Sequence, residues 1–352
     1  MGRRPPRRGA RPPARQDEGV DERLAEGFLL ACAEAAAAAA PHVGRGDGHA
    51  VDEAAVRALR SALDRLPVDA EVVVGEGEKD DAPMLAPGER LGRRGADAPA
   101  LDLAIDPVDG TRLAAAGRPG SLVVVSVAPR GALARLGAAH YLEKLATWLP
   151  AERQTDASGS GPPAIIERLP WLVGRIAAER RVAAGEVVVA VQDRPRNTPY
   201  VEAARAAGAR VELFEHGDVE RTFRAARRGH GIDVVAGIGG APEGVLTAVA
   251  VRALGGDLRA RPAPQSDAEA ARVAAAGFGV DAAHVLGLHA LCAANAAEVA
   301  TFCAAVTACD VSVPLPAPGP VDAPAPGGGI RIAVWSTLAP LAPARLRLLD
   351  AE

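Results

Sequence analysis

Between Glu186 and Gly256 the chain alternates short β-branched runs with stretches of helical apolar spacing: EVVVAVQ, TPYVEAARAAG, RVELFE, DVERTFRAARRG, DVVAGI and EGVLTAVAVRALGG. A helix inserted between two strands carries the chain back to the end of the sheet where it began, so this rhythm predicts a parallel sheet with crossover helices. Ligands of such sheets bind beyond the carboxyl ends of the strands. The segments DRPR, HGD and GIGGAPEG all occupy that position and are expected to converge on one edge.

The first half reads differently. Apolar residues recur at helical spacing from Arg23 to about Ala40 and from Asp52 to Leu66, joined by HVGRGDGHAVD, whose glycines permit a tight turn. Short β-branched runs follow, EVVVG at 71–75, LDLAID at 101–106 and SLVVVSVAP at 121–129, each ending in Gly, Pro or Asp as strands do. With 352 residues, 49% of them hydrophobic, the chain can bury two cores. The polar stretch TDASGSGPP at 155–163 divides an α+β half, residues 21–155, from an α/β half, residues 164–352. Pro314–Gly329 is a Pro/Gly run that reads as a loop or linker.

Residues 1–20 are expected to be a disordered tail: six arginines stand among prolines, without the apolar core of a signal peptide. High Ala, Arg, Pro and Gly usage points to a GC-rich genome, which inflates such tails. Removing residues 1–19 should leave melting temperature and catalytic activity unchanged; a large fall in either, measured on the truncated protein, would make the tail part of the structure.

A formal charge of -4, a pI near 6.0 and 3% aromatic residues provide neither a polyanion-binding surface nor stacking platforms, so nucleic acid is excluded as a partner. Leu29 to Ala40 is the longest apolar stretch; Glu34 interrupts it and Pro41 closes it, short of the roughly 20 residues that span a bilayer. No membrane partner is expected. Cys32, Cys292, Cys303 and Cys309 form no CxxC pair and have no histidine at zinc-ligand spacing. They read as thiols of a reducing compartment, the cytoplasm.

Two acidic clusters carry the chemistry. VVVGEGEKDDAPM puts Glu76, Glu78, Asp80 and Asp81 directly after an apolar strand, and LDLAIDPVDGT ends another strand with Asp106 and Asp109, followed by Gly110 and Thr111. Carboxylates held together repel unless cations neutralise them, and hard oxygen ligands suit magnesium or manganese. Alone, the first cluster reads better as a solvated acidic turn. Paired with the second, it reads as a site where divalent ions activate water at a phosphate ester.

DPVDGT preceded by GEGE resembles the signature of the metal-dependent, lithium-sensitive sugar phosphatase superfamily. GRGDxxxxD, VVGEGEKDDAPML, DLAIDPVDGT, YLEKLA, DRPR, AAGARVELFEHGDV and DVVAGIGGAPEGVLTAVAVRALGG, in that order from about Arg23 to Arg261, are similar to the motifs of the class II fructose-1,6-bisphosphatases, the GlpX-like family. The resemblance implies a layered α/β/α/β/α fold, with metal bound by the N-terminal half and substrate by the C-terminal half. It implies Mg2+ or Mn2+ held by Asp52, Glu76, Asp106, Asp109 and Glu243, with Glu78 nearby. Asp80 and Thr111 would orient and deprotonate the attacking water. A sugar phosphate would lie against Asp109, Gly110, Thr111, Tyr141, Arg194, Pro195, Arg196, His216, Gly217, Asp218 and Gly240. The implied reaction removes the 1-phosphate of fructose 1,6-bisphosphate, a gluconeogenic step, in a homo-oligomer, dimer or tetramer.

Single residues have plainer readings: Arg194 and Arg196 as a solvated loop, Tyr141 as packing, Asp218 as a helix cap, Gly239 and Gly240 as a turn. His42, His140, His230, His284 and His289 are read as surface or packing residues. The chain departs from the family pattern at Gly48 and His49, where a lysine and an asparagine are usual, at Asp109, usually glutamate, and at His216, usually aspartate. Beyond Arg261 little of the family's closing pattern remains. A phosphatase for another sugar, inositol or nucleotide phosphate, or a weakly active sugar-phosphate-binding paralogue, therefore stays open as an alternative.

Overall fold

The computed structural model describes residues 20–76, 84–154, 165–277, 285–320, 330–338 and 347–351. Two helices, α1 (Glu22–Ala39) and α2 (Gly48–Asp64), lead into β1 (Asp69–Val74), β2 (Arg90–Leu91) and β3 (Ala100–Asp109). A five-residue helix, α3 (Thr111–Ala115), precedes β4 (Leu122–Pro129) and β5 (Tyr141–Thr147). The alternating region then runs α4 (Ile165–Arg180), β6 (Val188–Gln192), α5 (Thr198–Ala206), β7 (Arg210–Phe214), α6 (Asp218–Ala225), β8 (Val234–Gly240), α7 (Ala241–Leu254) and β9 (Asp257–Pro262). Helices α8 (Asp267–Ala275) and α9 (Leu288–Leu291) lead to β10 (Ala300–Ala305), a small hairpin of β11 (Cys309–Asp310) and β12 (Pro314–Leu315), then β13 (Gly319–Pro320), β14 (Ile330–Ser336) and β15 (Arg347–Ala351).

These elements form five layers. Helices α1 and α2 cover the outer face of a first sheet ordered β13-β14-β10-β4-β3-β1-β2, with β15 on β14. Phe28 of α1 stacks on Phe302 of β10 with ring centroids 5.3 Å apart, at the centre of that core. Helices α6 and α7 lie between the sheets, α7 touching β3, β4 and β10 on one side and β5, β8 and β9 on the other. Burial on two sides explains its sequence: Val245, Leu246, Ala248, Val249, Ala250 and Val251 are all buried, leaving no polar stripe. Helices α4 and α5 cover the far face of the second sheet, ordered β7-β6-β8-β5-β9. The α/β/α/β/α layering and the mixed α/β class are thus as expected.

Three differences from the expected arrangement matter. Strands β6, β7 and β8 are parallel, but β5 runs antiparallel between β8 and β9, because it enters from β4 without a crossover helix. Strand β5, N-terminal to the 155–163 stretch, belongs to the second sheet, while β10 and β14, far beyond it, complete the first. The segment LCAANAAEVATFCAAVTACD, divergent in sequence, supplies the fully buried strand β10 next to β4.

Helix α1 is the single described helix long and apolar enough to cross a membrane. Its apolar side chains are spent on the sheet beneath it, as in a core helix.

Candidate active site

Topology brings Glu76 together with Asp106 and Asp109. Strands β1 and β3 are parallel neighbours, so the residues that follow β1 and end β3 leave the sheet at one edge. In the second sheet the carboxyl ends of β6, β7 and β8 share an edge, and the antiparallel β5 adds its first residue, with Tyr141 opposite Gly240. A cavity of about 920 Å³ lies between these edges. Asp52, Glu76, Asp106, Asp109, Gly110, Thr111, Tyr141, Arg194, Arg196, His216, Gly217, Asp218, Gly240 and Glu243 line it. Pro195 is exposed and does not, and Asp80, with Glu78 and Asp81, lies outside the described residues.

Local structure explains each placement. Asp47 caps α2 by accepting from Ala50 N at 3.0 Å, which sets Asp52 in the second turn of that helix. Pro107 does not interrupt β3, which runs through to Asp109; the pairing with β4 shifts register between Asp106 and Asp109, a bulge that turns both carboxylates to the site. Asp106 Oδ1 accepts from Val108 N at 3.0 Å, and the Thr111 hydroxyl donates to Val108 O at 2.9 Å. Gly110, at φ 77°, makes the left-handed turn into α3. Glu243 stands not in a loop but in the first turn of α7. Asp218 opens α6 without capping it, and its Oδ2 accepts instead from Lys144 Nζ at 2.6 Å.

The arginine loop is pre-arranged. Asn197 fastens it, donating to Gln192 O at 3.0 Å and accepting from Ile238 N at 2.7 Å. Arg196 Nε donates to Ile238 O at 3.1 Å, and its guanidinium lies 4.9 Å from the centre of the Tyr141 ring. Arg194 Nη2 donates to Glu215 O at 2.9 Å and stands 3.3 Å from His216 Nδ1. The solvated-loop reading of these arginines does not describe this geometry.

Electrostatics single out the carboxylates. Burial first, then the charges of Glu243 and Glu76, push Asp106 well above the usual carboxylate range. Asp109 is raised likewise by burial, then by Asp106, Asp218 and Glu243, against the pull of Arg221. Glu243 is raised by burial and by Asp218, with Lys144 opposing. Asp109 Oδ2 and Glu243 Oε2 are buried without a hydrogen-bond partner among the described residues. Such acceptor-only groups, massed and desolvated, fit a divalent cation, although no three described acidic, His or Cys side chains already form a closed coordination shell.

Sequence reasoning passed over Arg112, Gln192 and His140, all of which line the cavity. His140 is exposed, as read, and also lies on the cavity wall. Lys144 and Arg221 are the other omissions, each beside a site carboxylate.

The chain matches the family described as bacterial fructose-1,6-bisphosphatase, glpX-encoded, over residues 22–312. A relative from Synechococcus sp. (strain JA-3-3Ab), named D-fructose 1,6-bisphosphatase class 2/sedoheptulose 1,7-bisphosphatase, is 34% identical over 252 residues, 69% of this chain and 70% of its own length. Relatives of the same name from Trichodesmium erythraeum (strain IMS101) and Crocosphaera subtropica (strain ATCC 51142 / BH68) are each 38% identical, over 235 and 233 residues. Those matches span 63% of this chain and 65% of each relative. Matched over residues 22–312, the chain belongs to the bacterial glpX-encoded fructose-1,6-bisphosphatases.

Proposed function

We propose that the chain is a divalent-metal-dependent phosphatase that hydrolyses the 1-phosphate of fructose 1,6-bisphosphate, or of a related sugar bisphosphate, to a sugar monophosphate and inorganic phosphate. The supporting observation is one cavity with buried carboxylates along the first sheet edge and two pre-arranged arginines along the second. Asp52, Glu76, Asp106, Asp109 and Glu243 are the residues that would hold Mg2+ or Mn2+. When bound, such ions neutralise phosphate oxygens and lower the pKa of water. Thr111 and Asp80 form the pair that orients and deprotonates the attacking water. Arg194 and Arg196 hold the phosphate that stays, by planar charge-assisted contacts. Asp218 and His216 address sugar hydroxyls.

Gly240 serves the metal carboxylate: a Cβ there would stand 1.9 Å from Glu243 Oε2. Gly240→Ala should therefore displace that carboxylate and weaken half-saturation by Mn2+ roughly tenfold, the scale of lost support around metal ligands. Titration of activity with Mn2+ checks it.

A second reading, favoured by His216, is a different sugar bisphosphate such as sedoheptulose 1,7-bisphosphate. Ranking kcat/KM over fructose 1,6-bisphosphate, sedoheptulose 1,7-bisphosphate, inositol phosphate and a nucleoside monophosphate decides between them. A preference for the last two would overturn the bisphosphate assignment. The small-molecule substrate and four buried, unpaired thiols support a cytoplasmic place in carbohydrate metabolism. The homo-oligomer, dimer or tetramer, is checked by its mass in solution.

A further inference from the structure

Of the chain's 40 lysines and arginines only two are lysines, Lys79 and Lys144. Lys144 lies on β5 and is 7% exposed. Its ammonium donates to Asp218 Oδ2 at 2.6 Å and to Gly240 O at 3.2 Å. It therefore ties the start of α6 to the turn that leads into Glu243, both on the cavity wall.

Room for this side chain is built in. A Cβ on Gly239 would stand 3.1 Å from both Lys144 Cε and Nζ. A slim stem ending in a point charge suits this space; a broad planar guanidinium asks for more room. Stability alone does not account for the arrangement. A buried ion pair returns about what its desolvation costs, and apolar residues of similar volume serve a core as well or better. What the ammonium adds is a fixed position for the Asp218 carboxylate, with Oδ2 committed to it.

We propose that Lys144 is a positioning residue for the sugar: it commits one oxygen of Asp218 so that the other accepts a defined substrate hydroxyl, and it holds Asp218 at a set distance from the Gly240–Glu243 turn. This rests on the sugar-bisphosphatase reading above. The role predicts an effect on substrate capture that exceeds the effect on turnover, and one that Lys144→Arg does not restore, because charge without fit cannot place Asp218.

The test is a cycle of Lys144→Met, Asp218→Asn and the double variant, with KM and kcat for fructose 1,6-bisphosphate and the melting temperature of each. The expected result is a roughly tenfold or larger rise in KM for Lys144→Met, a smaller change in kcat, and a double variant no worse than Asp218→Asn alone, the signature of coupled sites. If Lys144→Met fails to fold, the double variant, which carries neither charge, is compared with Asp218→Asn. Equal KM values support the coupling, and a further tenfold rise overturns it. A lower melting temperature with KM unchanged makes Lys144 purely structural and overturns the inference. An active parent with that outcome leaves the phosphatase reading standing, whereas a parent that hydrolyses no sugar bisphosphate overturns both.

Discussion

Asp106→Asn should reduce phosphate release by on the order of 10³-fold or more, while the protein still folds; a single lost oxyanion-hole donor elsewhere already costs roughly 10²–10³. Asp106 is raised by burial and then by the charges of Glu243, Glu76 and Asp52. Asparagine has nearly the same shape and keeps an oxygen for Val108 N, so the bulge in β3 survives. It removes negative charge from a place where negative charge is costly without a cation. In EDTA the variant should therefore melt at or above the parent. With Mg2+ or Mn2+ the order should reverse, because ligands that bind only the folded state stabilise it by mass action. Thermal unfolding with and without metal reads both halves. Comparable phosphate release by variant and parent would exclude Asp106 as a metal ligand.

Replacing Arg194 and Arg196 together with alanine should chiefly raise KM for a bisphosphate, because the contacts proposed for them with the retained phosphate would be made in the ground state as well as in the transition state. Losing a charge-assisted contact costs about 1.5 to 3 kcal/mol, so a fall in kcat/KM of roughly ten- to hundredfold is expected. Arg196 is already held by Ile238 O and the Tyr141 ring, and Arg194 by Glu215 O, so little ordering is left to be done on binding. Glycerol phosphate has no second phosphate to reach this loop, and its poorer turnover should barely change. An equal loss for both substrates would assign the arginines to the fold or to the reacting phosphate.

Much of the site was legible because its residues break local rules. Carboxylates ending apolar strands, at Glu76, Asp106 and Asp109, are costly unless something binds them, and one cavity gathers them. Glu243 was equally conspicuous, though it belongs to the first turn of α7 rather than a loop. The alternating strands and helices between Glu186 and Gly256 followed from periodicity alone. Lys144 was not legible, because its partner Asp218 lies 74 residues away in the sequence. The antiparallel insertion of β5 was hidden for a related reason: pairing partners are set by packing, not by the alternation of apolar runs. Helix α4 was obscured by an internal proline, Pro170, and β10 by a segment whose side chains depart from the family pattern while remaining small and apolar enough to fill a strand. His140 was passed over because a lone exposed histidine gives no signal until the fold places it on the cavity wall.

Inorganic phosphate released from fructose 1,6-bisphosphate, measured with Mg2+, with Mn2+ and with EDTA, tests metal-dependent hydrolysis at this cavity. Turnover is expected with at least one of the two ions, with near-complete loss in EDTA and recovery when the ion is restored. Release that persists unchanged in EDTA, or none with either ion from a folded protein that still binds the sugar phosphate, would contradict it.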